Sequence, residues 1–187
     1  MSDLPQADRI AGLPHPCETE LLFGHDAACA QVLEAFNGDR MHHAWMLTGP
    51  KGIGKASLAY HIARFLLAAE PAGDSLFGAS PPATSLFVPA DLPVARRIRA
   101  GSEPGLCVLR RPVDEKTGKL KTVIPVDTVR ELRRFFSLSA GGNGRRVVIV
   151  DCIDEMNANA ANALLKVLEE PPQDAVLLLV THQPSRI

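Results

Sequence analysis

Residues 49–56 read Gly49-Pro50-Lys51-Gly52-Ile53-Gly54-Lys55-Ala56, a phosphate-binding loop whose last position is altered. The pattern G-x-x-x-x-G-K is complete, but alanine follows Lys55 where such loops carry Ser or Thr. In a working loop the backbone N–H groups hold the phosphates, the lysine reaches the β- and γ-phosphates, and the hydroxyl binds Mg²⁺. The stretch therefore predicts a site for a nucleotide's phosphates that is poorly equipped to hold the metal ion that hydrolysis needs.

The sequence on either side of the loop has the order strand, loop, helix that this motif requires. Residues 44–48 are a short apolar run that predicts a buried parallel strand, and residues 55–69 carry apolar side chains at helical spacing. Ser57 does not replace the missing hydroxyl, because one residue along a helix turns a side chain by about 100°. We expect nucleotide contacts from the loop and the first turn of the helix, at Gly49, Gly52, Ile53, Gly54, Lys55, Ala56 and Ser57.

The composition indicates one globular domain without a general affinity for nucleic acid. The chain has 187 residues and a net charge of −1, so any contact with nucleic acid needs a local basic patch. Its 4 cysteines include no C-x-x-C pair, which argues against a zinc module and against a disulfide framework. No apolar run approaches the roughly 18 residues of a membrane span. We therefore expect a cytoplasmic protein with no zinc.

The chain divides into an irregular start and one α/β domain. Residues 1–24 contain several prolines and predict no long helix, whereas strands alternate with helices through residues 25–187. The Pro/Gly-rich residues 70–104 predict a mobile insertion that ends in a basic helical piece. The basic group formed by Arg96, Arg97, Arg99, Arg110 and Arg111 is compatible with a solvated face or with a surface facing DNA or a subunit.

Alternation of strands and helices predicts a parallel sheet covered on both faces, in a three-layer P-loop arrangement. Further strands are expected at residues 105–109, 147–150 and 175–180, with a loop at residues 141–144. Asp26, Asp127 and Asn157 are placed to cap the helices that follow them.

A second chemical signal lies at the end of the strand at residues 147–150. The strand is followed by Asp151, the acidic residue that in such folds binds Mg²⁺ directly or through water. The next residue is Cys152, and a thiol is a weak hydrogen-bond acceptor. Asp154 and Glu155 fall past the end of the strand, where we expect a solvated turn.

The helix after this strand carries the most specific signal in the chain. Residues 162–172 read Asn-Ala-Leu-Leu-Lys-Val-Leu-Glu-Glu-Pro-Pro, which resembles the segment after the acidic strand in the clamp-loader subunits of bacterial DNA polymerase III, members of the AAA+ superfamily. Residues 42–50 and 124–132 resemble two further stretches of the same family. The resemblance covers roughly residues 18–187 apart from the insertion, and it implies the P-loop NTPase fold.

Within that family, the motor subunits gamma and tau keep the hydroxyl after the lysine and a Glu after the acidic residue, and an inert subunit lacks both. This chain has Ala56 and Cys152 at those positions and so resembles the inert subunit. Loss of a group that stabilises only the transition state typically lowers a rate by ~10²–10³. The resemblance therefore implies no catalytic residue and no ATP turnover of its own, in a subunit of a DNA-directed DNA polymerase, a nucleotidyltransferase by association.

The resemblance also assigns expectations to the rest of the site. Thr181 falls where the family places its sensor for the γ-phosphate, while His182 fits an exposed loop equally well. Many members carry a four-cysteine zinc module in the region of residues 70–104, which holds no cysteine here. Arg186 precedes the place of the family's arginine finger, so the chain is expected to lack the lid and collar domains. Weakly bound ATP or ADP is the only cofactor expected.

By this resemblance, the expected function is that of a stator that arranges gamma/tau and delta so that the sliding clamp opens for loading on primed DNA. An active ATPase of the gamma/tau type remains an alternative at this point. A small-molecule phosphotransferase such as a nucleotide kinase is a second alternative, against which the run at residues 157–172 speaks.

Overall fold

A parallel sheet of four strands forms the centre of the molecule. The computed structural model describes residues 5–69, 81–137 and 144–186. Within them the strands are ordered β1-β4-β3-β2, and every neighbouring pair is parallel. Their bounds are Ala44–Leu47 for β1, Leu106–Leu109 for β2, Arg146–Asp151 for β3 and Ala175–Val180 for β4. All four strands lie where the sequence predicts them, whereas the loop expected from residue 141 lies largely outside the described residues.

Helices cover both faces of the sheet, which confirms the predicted three-layer α/β class. One face carries α1 (Asp26–Asn37), α2 (Lys55–Ala68) and α3 (Pro93–Arg99). The other carries α4 (Val126–Ser137) and α5 (Ala158–Glu169). In the described part of the chain, no helix combines the length and the apolar character that crossing a membrane requires.

The alternation of side chains along the central strands separates two hydrophobic cores. Val147 and Ile149 of β3 face the core beneath α1, α2 and α3, while Val148 and Val150 face the core beneath α4 and α5. All four side chains have no measurable exposure. A strand buried on both faces explains why the sequence of β3 is continuously apolar rather than alternating.

The predicted helix caps are right at one position and wrong at two. Asn157 caps α5, because its side-chain oxygen accepts a hydrogen bond of 2.8 Å from the N–H of Ala160. Asp26 and Asp127 lie inside the first turns of α1 and α4 instead of before them. At α1 the capping position is His25, whose Nε2 lies 2.8 Å from the carbonyl oxygen of Ile53.

The part of the predicted insertion that the structure describes is packed, so the expectation of a mobile segment is wrong there. Leu86 and Val88 are buried in the core beneath α2, and so are three side chains of α3. Proline content suggested mobility, but apolar side chains two residues apart anchor this irregular stretch against the helices. The basic helical piece is confirmed as α3, which starts at Pro93, a favoured first helical residue. Residues 70–80 lie outside the described residues.

Candidate functional site

The register of the strands brings the predicted site residues to one edge of the sheet. Leu47 at the end of β1 and Asp151 at the end of β3 both pair with Val180 at the end of β4. The glycine loop follows β1 and Thr181 follows β4, so all three segments meet at the carboxyl edge, where open α/β sheets bind ligands. A cavity of about 360 Å³ lies there between the loop, Asp151 and the N-terminal residues.

The glycines of the loop are required by its backbone. Gly54 has a φ of +90°, and a Cβ there would lie 3.3 Å from Nε2 of His25. Gly49 has a φ of +137°, and a Cβ there would lie 2.7 Å from the side chain of Ile53. No side chain caps α2 at Gly54, so the first N–H groups of the helix keep the positive end of its dipole available for an anion.

Lys55 lies inside the loop and already has partners there. Its Nζ donates hydrogen bonds of 2.6 Å to the carbonyl oxygens of Gly49 and of Pro50, and the residue is only 4% exposed. Burial lowers the pKa of this ammonium, while the charge of Asp151 opposes that shift. The lysine lines the cavity, and a phosphate that enters must share its ammonium group with two carbonyl oxygens.

The structure brings most, but not all, of the predicted nucleotide-binding residues to the cavity. Gly52, Gly54, Lys55, Ala56 and Ser57 line it. Gly49 and Ile53 do not; the side chain of Ile53 is 46% exposed and borders a neighbouring groove beside α1 and β1. The hydroxyl of Ser57 lies 3.5 Å from the hydroxyl of Thr19, and the side chain of Ala56, which also lines the cavity, is a methyl group without an oxygen.

Asp151 and Cys152 are adjacent and both line the cavity, but the cysteine is the more deeply buried of the two. Asp151 lines the cavity, and burial together with the carboxylates of Asp8 and Glu155 raises its pKa to about 6. Cys152 also belongs to the lining of the cavity, but it is only 3% exposed and packs against the core beneath α1 and α2. Burial, and next the charge of Glu155, raises the pKa of its thiol to about 12. The thiol is therefore neutral at physiological pH and cannot act as a base.

The residues at the cavity do not fit a bound Mg²⁺. This ion takes oxygen ligands, and Ala56 presents a methyl group where the family's motif supplies a hydroxyl. Across the described residues, no three His, Cys, Asp or Glu side chains are grouped to hold a metal ion. No step of a reaction is assigned to a metal at this cavity.

The prediction that Asp154 lies in a solvated turn is wrong, because its side chain joins the segments that follow β3 and β4. Its carboxylate accepts a hydrogen bond of 2.8 Å from the hydroxyl of Thr181 and one of 2.7 Å from the N–H of His182. Burial would raise the pKa of Asp154, but these hydrogen bonds hold it below its ordinary value. Thr181, the predicted sensor, is fully buried and is not among the residues that line the cavity.

His182 and not Thr181 faces the cavity. It is half-buried there, so the alternative of an exposed loop histidine is wrong. Burial, and next the charge of Lys55, lowers the pKa of its imidazole.

Four of the five arginines of the predicted basic group have side-chain partners within the domain, and three of these partners are carboxylates. Arg111 and Glu155 form an ion pair of 2.7 Å, and both line the cavity. Arg110 pairs with Asp8, and Arg97 pairs with Glu103 at 2.7 Å. At least these three charges are neutralised within the domain, which weakens the interpretation of this basic group as a surface that faces DNA.

Sequence reasoning missed the residues that close the site from the N-terminal side. The side chain of Asp8 has no exposure and pairs with Arg110 and with His15, whose Nε2 lies 3.2 Å away. The hydroxyl of Tyr60 donates to the same carboxylate at 3.4 Å. Asp8 and Arg110 are 102 residues apart, and no local pattern connects them.

A parallel sheet whose first strand leads through a glycine loop into a helix, with an acidic residue at the end of the strand two places along the sheet, is the arrangement of the P-loop fold. The family model described as "DNA polymerase III, delta subunit" matches residues 24–187. The chain belongs to this family, which confirms the resemblance seen in its sequence.

Relatives and a solved structure agree with this assignment. The chain is 42% identical over 145 residues to the DNA polymerase III subunit delta' of Pseudomonas aeruginosa, a match that spans 78% of this chain and 39% of that protein. It is 31% identical over 149 residues to the subunit of the same name from Bacillus subtilis, spanning 80% and 39%. The chain thus spans about two fifths of the length of these relatives.

Among solved structures, a DNA polymerase III gamma subunit-related protein from Thermotoga maritima has a similar fold. The TM-score is 0.54 at 19% identity, and the match covers 83% of this chain and 41% of that one. At this identity the likeness supports the fold alone.

Proposed function

We propose that this chain is the AAA+ domain of a delta prime subunit and acts as a catalytically inert stator in a bacterial clamp loader. The two relatives described above carry the delta' name, which supports the choice of this subunit. In this role the domain gives its neighbours a fixed surface and does not itself pass through a cycle of ATP hydrolysis.

The observation that carries the proposal is the neutral, buried thiol of Cys152. A residue that polarises an attacking water needs a basic group, and although Cys152 is among the residues that line the cavity, its thiol is nearly unexposed and neutral, with a pKa raised to about 12. Ala56 removes the metal-binding hydroxyl independently. If each loss lowers the rate by ~10²–10³, the two together leave almost no turnover.

The bonds at the strand ends support a fixed rather than a responsive domain. Asp154 holds the hydroxyl of Thr181, so this side chain is occupied within the protein and does not reach toward a γ-phosphate. The same carboxylate fixes the backbone at His182, immediately after β4. A site whose sensor position is bonded internally has little means of transmitting the state of a nucleotide to the rest of the molecule.

The proposal includes partners and a place in the cell. The names of the relatives indicate a multi-subunit DNA polymerase assembly, and within it we assign gamma/tau and delta as direct neighbours. The sliding clamp and primed DNA are reached through the complex. We place the protein in the cytoplasm, with the replication machinery. The nucleotide site binds ATP or ADP weakly, through the loop N–H groups and Lys55, and zinc is not required.

ATP turnover of the full-length protein tests the proposal against the gamma/tau-type alternative. Hydrolysis is measured with Mg²⁺, alone and in the reconstituted clamp loader, beside a Lys55→Ala variant that serves as the background. We expect wild type and Lys55→Ala to give the same rate. Turnover comparable to that of motor subunits, lost on replacing Lys55, would show an active ATPase and overturn the stator proposal.

A further inference from the structure

One wall of the phosphate cavity is built by residues 5–19, here called the strap. The family model matches the chain only from residue 24, so the strap lies ahead of the matched domain. The strap residues that line the cavity, opposite the glycine loop, are Ala7, Asp8, Ile10, Leu13, Pro14, Pro16 and Thr19. Ile10 and Leu13 are each more than half exposed, so the middle of the strap is held by little apolar burial of its own.

The first anchor of the strap is the buried carboxylate of Asp8. It pairs with Arg110, which follows β2, and with His15 of the strap itself. Tyr60 of α2 donates a hydrogen bond to it as well. Although burial alone would raise the pKa of Asp8, His15 and Arg110 hold it below its ordinary value, so the carboxylate is charged.

The second anchor is the carbonyl oxygen of Thr19. It accepts a hydrogen bond of 2.7 Å from Nη2 of Arg64 and lies 3.0 Å from Nε2 of His61. Both donors belong to α2, the helix that begins at the phosphate loop, and both are buried. The strap is therefore fixed at its two ends to the same helix and spans the cavity between them.

The first anchor bears on what the cavity admits because it holds the strap against the domain. Asp8, Asp151 and Glu155 are among the lining residues, but the carboxylate of Asp8 has no exposure and pairs with Arg110, and Glu155 pairs with Arg111. The volume of about 360 Å³ is close to the lower end of the roughly 300–1,000 Å³ found for small-molecule sites. A polyphosphate that approaches the loop meets the wall formed by the strap as long as the first anchor holds it in place.

We propose that the strap is a gate latched by Asp8, and that a nucleoside di- or triphosphate reaches the loop fully only when Asp8 leaves Arg110, His15 and Tyr60. This inference rests on the phosphate-binding loop that the proposed function retains. Weak nucleotide affinity then reflects the small fraction of molecules whose strap is open, because the apparent dissociation constant equals the intrinsic one divided by that fraction.

Nucleotide binding to latch variants of the full-length protein tests the gate. The probe is MANT-ADP, titrated by fluorescence in EDTA so that no metal contributes. Asp8→Asn keeps the size of the side chain and removes its charge, so the open fraction rises, and we expect binding tighter by about tenfold or more. Arg110→Gln breaks the same pair from the domain side and is expected to act in the same direction.

Asp127→Asn is the control for the change of charge, because Asp127 pairs with Arg130 on the exposed surface of α4, outside the lining of the cavity. Its affinity should stay within about twofold of wild type. Thermal melts of all three variants check that they are folded. Unchanged or weaker binding in folded Asp8→Asn and Arg110→Gln would overturn the gate.

Trypsin gives a readout that does not depend on affinity. Arg9 is exposed on the strap, next to the latch. We expect cleavage after Arg9 to be faster in Asp8→Asn than in wild type, and ADP to accelerate it in wild type by holding the strap open. Equal cleavage of the two proteins would contradict the gate.

Different measurements would overturn the gate proposal and the stator proposal. If neither wild type nor the latch variants bind MANT-ADP, the gate is overturned while the stator proposal stands. Conversely, rapid ATP turnover would overturn the stator without bearing on the effect of the latch.

Discussion

At the scale of single residues, two substitutions separate holding phosphate from hydrolysing it. The backbone N–H groups at the start of α2 and the ammonium of Lys55 are present and lie at the cavity. The metal-binding hydroxyl is replaced by the methyl group of Ala56, and Cys152, which packs against the core, offers only a neutral thiol. Binding and catalysis depend on different groups at this site, so catalysis can be lost while binding remains.

From this separation we predict nucleotide binding that is weak and independent of Mg²⁺. Calorimetry with a non-hydrolysable ATP analogue should give the same affinity with Mg²⁺ and with EDTA. Lys55→Ala should weaken binding by about 10-fold or more, because a hydrogen bond to a charged group contributes about 1.5–3 kcal/mol. Lys51→Ala serves as the control for lost positive charge, because Lys51 lies on the same loop but does not occupy the place of Lys55 in the motif. Tight binding that requires Mg²⁺ would contradict the prediction.

At the scale of elements, α5 depends on a side-chain cap. Asn157 accepts a hydrogen bond from the N–H of Ala160, one of the N–H groups that lack a partner within the helix. Asn157→Ala should therefore lower the free energy of unfolding by about 1 kcal/mol. Asn162→Ala, an exposed position inside the same helix, should leave stability unchanged or slightly raised, because alanine is the better helix former. Urea denaturation of both variants makes the comparison; an equal loss would contradict a role in capping.

The second anchor of the strap, at the carbonyl oxygen of Thr19, predicts that the stability of the fold depends on pH. Burial and the neighbouring charge of Arg64 lower the pKa of His61, so its imidazole is neutral and donates to the carbonyl of Thr19. A histidine with a lowered pKa in the folded state stabilises the fold above its unfolded pKa of about 6.5, and that contribution is lost as the pH falls below it.

The measurement compares wild type with His61→Gln, which removes the titration and keeps a side-chain donor. We expect the stability advantage of wild type at pH 7.5 to shrink toward pH 5.5, by at most about 1.4 kcal/mol per pH unit. Contributions from the other titrating groups cancel in this difference unless they contact His61, as Arg64 does. An advantage that grows at low pH would show that the sign of the shift is wrong.

At the scale of the whole molecule, the layers could be predicted from sequence because each strand and helix has its own local pattern. The apolar run from Val147 to Val150 predicts a buried strand, and its neighbours follow from the alternation of strands and helices. The position of the loop at the sheet edge follows in turn, since parallel strands end on the same side.

What could not be predicted depends on contacts between distant segments. Asp8 meets Arg110 across 102 residues, and Asp154 meets Thr181 across 27. Neither pair has a periodic pattern, and a carboxylate in an irregular segment most often faces solvent. The buried strap and the bonded sensor position therefore emerge only from the tertiary structure.

The two cores share their central strands, so we predict that the domain unfolds as one unit. Leu177 and Leu178 of β4 are both fully buried, but they face opposite cores. Replacing either with alanine should lower the free energy of unfolding by about 2–5 kcal/mol, whereas Leu165→Ala, on the exposed face of α5, should cost far less.

Trp45, the single tryptophan of the chain, packs against the core beneath α1 and α2 and so reports on the side away from Leu177. If both faces of the sheet melt together, Leu177→Ala shifts the fluorescence transition of Trp45 as far as it shifts the circular dichroism transition. The sheet transmits the loss, because β4 pairs with β1 as well as with β3. A fluorescence midpoint that stays at the wild-type value while the circular dichroism midpoint moves would show two separately melting layers.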